Sequence, residues 1–182
     1  MKNGPAQVLA AAVILMVVFF TYSRRPQIEA KVWHWRYGYS ANVGPYIVPV
    51  PDGWLVFAED PDHRNLSMFN THVKREARTP PSADSVSVSF LPQPVNLNSW
   101  ESFSRQRLEH DGLEAERLEV YTADEEFICL GGYELGKILK MPGSTILSFD
   151  CRSGGSLNLM YQGNRSGIED FKAIVAQIHK RN

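Results

Sequence analysis

Residues Pro45–Phe57 read PYIVPVPDGWLVF, two apolar runs joined by a Pro-Asp-Gly corner. Proline presets φ for the second position of a tight turn, and Asp and Gly tolerate positive φ, so Pro51–Gly53 predicts a turn. The chain then enters a short strand, Trp54–Phe57, which should place the Trp54 indole in the core of a domain. Since the two prolines that close the first run cannot donate to a ladder, that run is expected to be an edge strand or an entry segment.

Further strand signals follow this corner, marked by alternating apolar residues and by turn residues. They are Leu66–Asn70, Ser85–Leu91, Arg117–Tyr121, Phe127–Leu139, Thr145–Cys151 and Leu157–Gln162. The stretches KMPGS (140–144) and RSGGS (152–156) are typical of the connecting turns. Gly131-Gly132 predicts a bulge or a sharp bend. Thr71–Asp84 is polar and is predicted to be a loop.

Two helices are predicted within this series of strands. Asn98 and Glu101 form a capping-box pattern at the start of NLNSWESFSRQRLEH (96–110), and Ser166 and Glu169 form one before the last helix. The last helix carries an apolar stripe: Ile168, Phe171, Ile174, Val175 and Ile178. Strands, a helix, more strands and a terminal helix together predict an α+β domain with an antiparallel sheet packed against two helices.

Aromatic residues alternate in the stretch KVWHWRYGY, which spans residues 31–39. A period of two is a strand signature, so a first strand with its aromatics on the core face is predicted. The alternative is an aromatic belt at a membrane interface. His34 is expected on the other, polar face and receives no ligand role.

Residues Pro5–Tyr22 carry no charged side chain and predict a membrane anchor. A helix of that length covers roughly 27 Å, enough for the core of a bilayer. The anchor is expected to remain uncleaved, because Thr21–Arg25 lacks a small-residue cleavage motif. A linker at Ser23–Ala30 follows, so the predicted organisation is residues 1–30 as start, transmembrane anchor and linker, and residues 31–182 as one globular domain.

Two arguments about the orientation of this anchor in the membrane point in opposite directions. The flanking arginines, Arg24 and Arg25, favour a domain inside the cell. Long domains after an N-terminal anchor, however, are translocated largely regardless of charge. We expect the second argument to prevail, which predicts a single-pass protein of the inner membrane with an extracytoplasmic domain.

The charge balance excludes one class of partner. The chain has 19 basic and 20 acidic residues and a net charge of −1. It therefore generates no long-range field that would attract nucleic acid, and no nucleic-acid partner is predicted.

The two cysteines are the first candidates for chemistry. A hairpin closed by a turn at Lys140–Ser144 would place Cys151 opposite Tyr133 rather than opposite Cys129. The two sulfurs would then lie roughly 13 Å apart along the strands, whereas a disulfide needs Cα atoms within about 7 Å. We therefore expect two buried free thiols, with a disulfide as the alternative.

The remaining polar motifs predict no reactive site. The richest cluster, EDPDHRN (59–65), offers oxygen atoms to a hard cation but lacks the regular spacing of a calcium loop, so a solvated turn is expected. The five histidines lack metal-pair spacing, and no nucleophile elbow or phosphate loop is present in the sequence. No catalytic, cofactor-binding or metal-binding residue is predicted.

The VPVPDGWLVF corner, the capped helix, the glycine-containing strands and the final FKAIVAQIHK helix resemble the PsbP-like superfamily over residues 43–180. That group includes the extrinsic photosystem II subunit, a Ran-binding factor and bacterial envelope proteins of the DcrB type. The resemblance implies a curved antiparallel sheet and a non-catalytic binding or assembly role. It carries over no site residue, because such a fold hosts unrelated functions.

Two functional hypotheses follow. The first is a membrane-anchored, non-catalytic domain, attached through Pro5–Tyr22, that binds a protein partner or supports assembly of an envelope complex. The alternative is an envelope protein that binds a small molecule, a lipid or a metal in a pocket between the sheet and one helix. An enzyme is not expected.

Overall fold

The computed structural model describes residues 5–71, 84–134 and 146–181. The helices are α1 Pro5–Ser23, α2 Arg25–Tyr37, α3 Leu97–His110 and α4 Ile168–Val175, the last preceded by a 3-10 turn at Arg165–Gly167. The strands are β1 Ser40–Val43, β2 Tyr46–Pro49, β3 Trp54–Glu59, β4 Asn65–Asn70, β5 Ser85–Phe90, β6 Glu116–Tyr121, β7 Glu126–Glu134, β8 Leu147–Arg152, β9 Leu157–Gly163 and β10 His179–Lys180. The predicted α+β class with antiparallel strands is confirmed, but the strands form two sheets rather than the single sheet that was predicted.

The strands form two antiparallel sheets. The large sheet has seven strands in the order β3-β4-β5-β9-β8-β7-β6, and the small sheet has the order β1-β2-β10. The core lies between the large sheet on one side and the small sheet with α4 on the other. The predicted apolar stripe of α4, continued by Ile178, is buried as expected.

The corner at Pro51–Gly53 forms a turn as predicted, but Pro51 occupies its first position and Asp52 the second. The Trp54 amide donates to the Pro51 carbonyl at 3.1 Å, and Gly53 has a φ of 78°. Trp54 is 4% exposed and belongs to the core, which confirms its predicted burial. The run before the turn is not an edge strand, because β2 is the middle strand of the small sheet. Pro49 is tolerated there because β10 pairs only with the Tyr46 end of β2.

The predicted bulge in β7 is confirmed. The pairing of β7 with β8 shifts by one residue between Gly131 and Tyr133, and Gly132 has a φ of 85°. A Cβ atom on Gly131 would collide with the Ser148 carbonyl oxygen of β8. Glycine is therefore required at both positions for different reasons, one for backbone conformation and one for close approach.

The prediction of free thiols is wrong, because Cys129 and Cys151 form a disulfide in the core. The two residues are direct partners in the β7–β8 pairing. Within the described residues the pairing runs to Glu134 with Leu147, three residues away from the predicted register, and the bulge between Gly131 and Tyr133 adds one more. The assumed turn itself, residues 140–144, lies outside the described residues, as do residues 135–139 of the predicted strand and residues 72–83 of the predicted polar loop.

The strand predicted at residues 31–39 is a helix. In α2, Pro26 occupies the first turn, Arg25 pairs with Glu29 at 2.7 Å, and Ala30 and His34 are buried four residues apart. His34 therefore does not lie on a polar face. The linker predicted at Ser23–Ala30 is largely helical, and the predicted boundary between residues 30 and 31 falls inside α2.

The predicted caps are displaced. Asn96, not Asn98, caps α3, and its side-chain oxygen accepts a hydrogen bond from the Ser99 amide at 3.1 Å. Ser166 lies within the 3-10 turn before α4 and makes no capping hydrogen bond. Glu169 pairs with Lys172 at 2.7 Å instead of reaching back to the start of the helix. In both cases the helix begins at a residue other than the one that the capping-box pattern indicates.

The predicted membrane span coincides with a helix, since α1 covers Pro5–Ser23. Among the residues that the structure describes, no helix has both the length and the hydropathy needed to cross a membrane.

Candidate binding surfaces

The first candidate surface is a cavity between α3 and the face of the large sheet that points away from the core. Its volume is about 640 Å³. Leu130 of β7 and Asp150 of β8 form its floor, because they alternate along their strands with the core cysteines. The helix contributes the opposite wall, chiefly Trp100, Phe103 and Leu108. The predicted apolar side of α3 therefore faces this cavity rather than the core.

The helix wall of this cavity is loosely packed. No residue of Leu97–His110 is buried, and the Phe103 side chain is 65% exposed. A phenylalanine on the core-facing side of a helix is normally covered by other side chains. The α3 face is therefore a surface with room for a further molecule.

The charged groups of the cavity are Arg107, Asp111 and Asp150. Burial raises the pKa of the Asp150 carboxyl above its ordinary value, and the neighbouring Arg152 opposes this shift. The Arg152 Nε atom lies 3.6 Å from Asp150 Oδ1. That atom is buried and has no hydrogen-bond partner among the described residues. Asp150 thus gives the mainly apolar cavity one charged group on its floor.

The second candidate surface is α1. Large apolar side chains from Val13 to Phe20 are each more than half exposed. Tyr22 at the end of the helix is 76% exposed. An exposed apolar patch of this extent is typical of a site that contacts lipid or another protein.

A cluster of polar side chains surrounds Glu125 in the turn between β6 and β7. Tyr46 and Ser153 donate to its two carboxylate oxygens at 2.6 and 2.7 Å, and Lys180 lies 3.6 Å away. Burial alone would raise the pKa of Glu125, but these hydrogen bonds and the positive charge outweigh it, so the pKa lies below its ordinary value. Both carboxylate oxygens of Glu125 are bound by groups from the small sheet or the β8–β9 turn. The cluster therefore connects these parts of the domain.

The acidic stretch EDPDHRN forms the predicted exposed turn, between β3 and β4. Asp60 accepts hydrogen bonds from the Asp62 amide and the Asn65 side chain, both at 3.2 Å, and Glu59 pairs with His63 at 2.9 Å. Glu59 and Asp60 are thus engaged within the turn. Within the described part of the chain, no group of three or more His, Cys, Asp or Glu side chains is arranged to hold a metal ion.

Sequence reasoning missed the cavity floor. Asp150 lies in the strand that the sequence predicts at Thr145–Cys151, and the pairing of that strand with β7 is predicted in the wrong register. A signal was present, because a charged residue on each side of Cys151 indicates a strand with one polar face.

Neither a protein-family model nor a curated protein matches the chain.

Proposed function

We propose that this protein is a membrane-attached, non-catalytic binding domain that contacts a protein partner or supports assembly of an envelope complex. The observation that carries the proposal is the exposed apolar helix α1 directly before a packed domain. The chain would be a single-pass protein of the inner membrane, anchored through Pro5–Tyr22. The apolar side chains from Val13 to Phe20 are each more than half exposed, and leaving them in water would cost about 25 cal/mol for each Å² of apolar surface, so a lipid environment is favoured for them.

The side of the membrane is proposed from the cysteines. A disulfide between Cys129 and Cys151 persists in oxidising compartments and is rare in the cytosol. This supports the extracytoplasmic orientation. It also outweighs the opposite argument from the two arginines that follow the anchor.

The binding role is proposed from the cavity at α3. This cavity combines Trp100 and Phe103 of α3 with Arg107, and aromatic residues and arginine are enriched in protein interfaces. Asp150 is paired with Arg152 rather than with a nucleophile, which supports a non-catalytic role. The PsbP-like resemblance suggests the same type of function and is part of the proposal.

The cavity volume favours a second candidate function. About 640 Å³ lies within the range of roughly 300–1,000 Å³ that is common for small-molecule sites. A ligand for this site would have an apolar body and a hydrogen-bond donor directed at Asp150.

The two functions are separated by photocrosslinking in native membranes. A photoreactive amino acid replaces Phe103 at the cavity, and the matched control replaces Tyr121, which is 53% exposed on β6. We expect one discrete protein adduct from position 103 that is absent from position 121 and weakened by Arg107→Glu. A small mass increase of the chain at position 103 would support the ligand instead. Identical adducts at both positions, or none, would contradict both roles.

A further inference from the structure

The outward face of α2 has an unusual composition for a helix that already buries one side. Ala30 and His34 point toward the domain and are 1% and 6% exposed. On the opposite side, Ile28, Val32 and Trp35 are 45%, 54% and 87% exposed. At 100° per residue these three side chains lie within about 60° of one another, so they form one apolar stripe along the helix.

Cationic side chains flank this stripe on both sides. They are Arg24, Arg25, Lys31 and Arg36, and all are exposed. The acidic residue of this helix is Glu29, which is paired with Arg25 at 2.7 Å. An apolar stripe between rows of Lys and Arg is the pattern of helices that lie in the interface of an anionic bilayer. Trp at such a position is favoured at the depth of the headgroups.

The stripe is continuous with α1. The Arg24 amide donates to the Phe20 carbonyl at 3.1 Å, and the Ile28 amide donates to the Arg24 carbonyl at 3.0 Å, so the two helices follow each other with little interruption. At their junction lies a groove of about 550 Å³, lined by Val17, Tyr22 and Ile28. A molecule that surrounds α1 would therefore also reach the stripe.

The patch also extends to the edge of the large sheet. A second cleft, of about 490 Å³, runs from Val32 to Phe57 of β3, whose side chain is 59% exposed. Apolar groups from two helices and one strand thus share one surface of the domain.

We propose that this patch, the outward stripe of α2 together with Phe57, rests on an anionic lipid surface and fixes the orientation of the domain on the membrane. The inference rests on the membrane attachment proposed above and adds a second contact to it. Lipid is favoured over a protein partner because the patch continues the apolar helix and because four cations accompany it. It also gives the two arginines after the anchor a role in headgroup binding rather than in topology.

The test measures the depth of single spin labels in the full chain. The native cysteines are fully buried in a disulfide, so labels attach only at Trp35→Cys or at the control Tyr121→Cys. Tyr121 is exposed on β6, and β6 and β3 are the two edges of the seven-stranded sheet, roughly 29 Å apart. Collision with oxygen reports lipid, and collision with a water-soluble nickel chelate reports solvent.

In vesicles that contain phosphatidylglycerol, we expect the label at position 35 to collide with the nickel chelate several-fold less often than the label at position 121, and with oxygen more often. In phosphatidylcholine vesicles, or with Lys31→Glu and Arg36→Glu combined, the position-35 label should return toward solvent. Equal solvent access at the two positions in floated phosphatidylglycerol samples would overturn this inference alone. Equal shielding at position 35 in both lipids would overturn the requirement for anionic lipid. Failure of the labelled chain to float would overturn the membrane attachment as well.

Discussion

Replacing Glu125 with Gln should destabilise the protein in a way that depends on pH. The carboxylate side chain is 13% exposed and accepts hydrogen bonds from Tyr46 and Ser153, with Lys180 nearby. Hydrogen bonds to a charged group contribute about 1.5–3 kcal/mol each. Gln keeps one acceptor for Tyr46 but presents an amide donor to Ser153 and removes the attraction to Lys180. We therefore expect a loss of about 2 kcal/mol at pH 7.

The direction of the pH effect follows from the pKa of Glu125, which is lower in the folded protein than in the unfolded chain. Its contribution is fully present above the unfolded pKa of about 4.3 and is lost as the pH falls through the lower folded pKa. The difference between wild type and Glu125→Gln should therefore be constant from about pH 5 to 7. It should begin to shrink below about pH 4, where the unfolded chain takes up a proton at Glu125, and it levels off only below the folded pKa, where both proteins carry a neutral side chain.

The assay is thermal unfolding of the full chain in detergent, followed by near-ultraviolet circular dichroism. For a chain of this size, about 2 kcal/mol corresponds to a fall in Tm of roughly 4–8 °C. The matched control is Glu169→Gln, since Glu169 is 80% exposed in its pair with Lys172 and should change stability by less than about 1 kcal/mol. Equal Tm values for Glu125→Gln and wild type at pH 7, or a difference that persists undiminished at pH 3, would refute the reasoning.

Three further outcomes are expected, from unfolding measurements and, for the cysteines, from mass spectrometry. Trp54→Ala should lower the free energy of unfolding by about 3–5 kcal/mol, because a buried indole leaves a cavity, whereas the exposed Phe57→Ala should cost less than about 1 kcal/mol; a loss for Trp54→Ala as small as that expected for Phe57→Ala would place Trp54 at the surface. Gly131→Ala should destabilise by more than about 2 kcal/mol, and Gly154→Ala, which points into open space, should not; a tolerated Gly131→Ala would contradict the β7–β8 register. Reduction of the denatured chain should add two hydrogens to its mass, and loss of the disulfide should cost about 2–5 kcal/mol; an unchanged mass would show free thiols.

Local turn chemistry made much of the fold predictable. The corner at Pro51–Gly53 needs positive φ at one position, and Gly131-Gly132 needs a bulge, so both could be recognised from residue type alone. The strands and the buried stripe of α4 were predictable for a similar reason, since their periodicity follows from one buried face.

The pairing of β7 with β8 was not predictable in the same way. A turn at residues 140–144 would pair Lys137 with Leu147, whereas Leu147 pairs with Glu134, and the bulge in β7 shifts the register by one more residue. A four-residue error in register separated Cys129 from Cys151. The same error also prevented a prediction that Asp150 lies on the cavity floor.

Helix α2 was misread because two of its faces are apolar. Trp33 packs against the core, whereas Trp35 is exposed on the opposite side. Aromatic residues on both faces of a helix produce the alternation of a strand, and the helical period is visible only in Ala30 and His34. If the outward face of α2 contacts lipid, the pattern that misled the prediction is itself a consequence of membrane attachment.

The most direct test of the account is flotation with phosphatidylcholine vesicles, comparing the full chain with a fragment that begins at Arg25. The fragment keeps α2 and the core, and circular dichroism checks that it is folded. Neutral lipid removes the attraction of the cationic side chains of α2, so the comparison isolates α1. The account predicts that the full chain floats with the vesicles and that the folded fragment remains at the bottom of the gradient. Flotation of neither protein, or of both equally, would contradict the claim that α1 attaches this domain to a membrane.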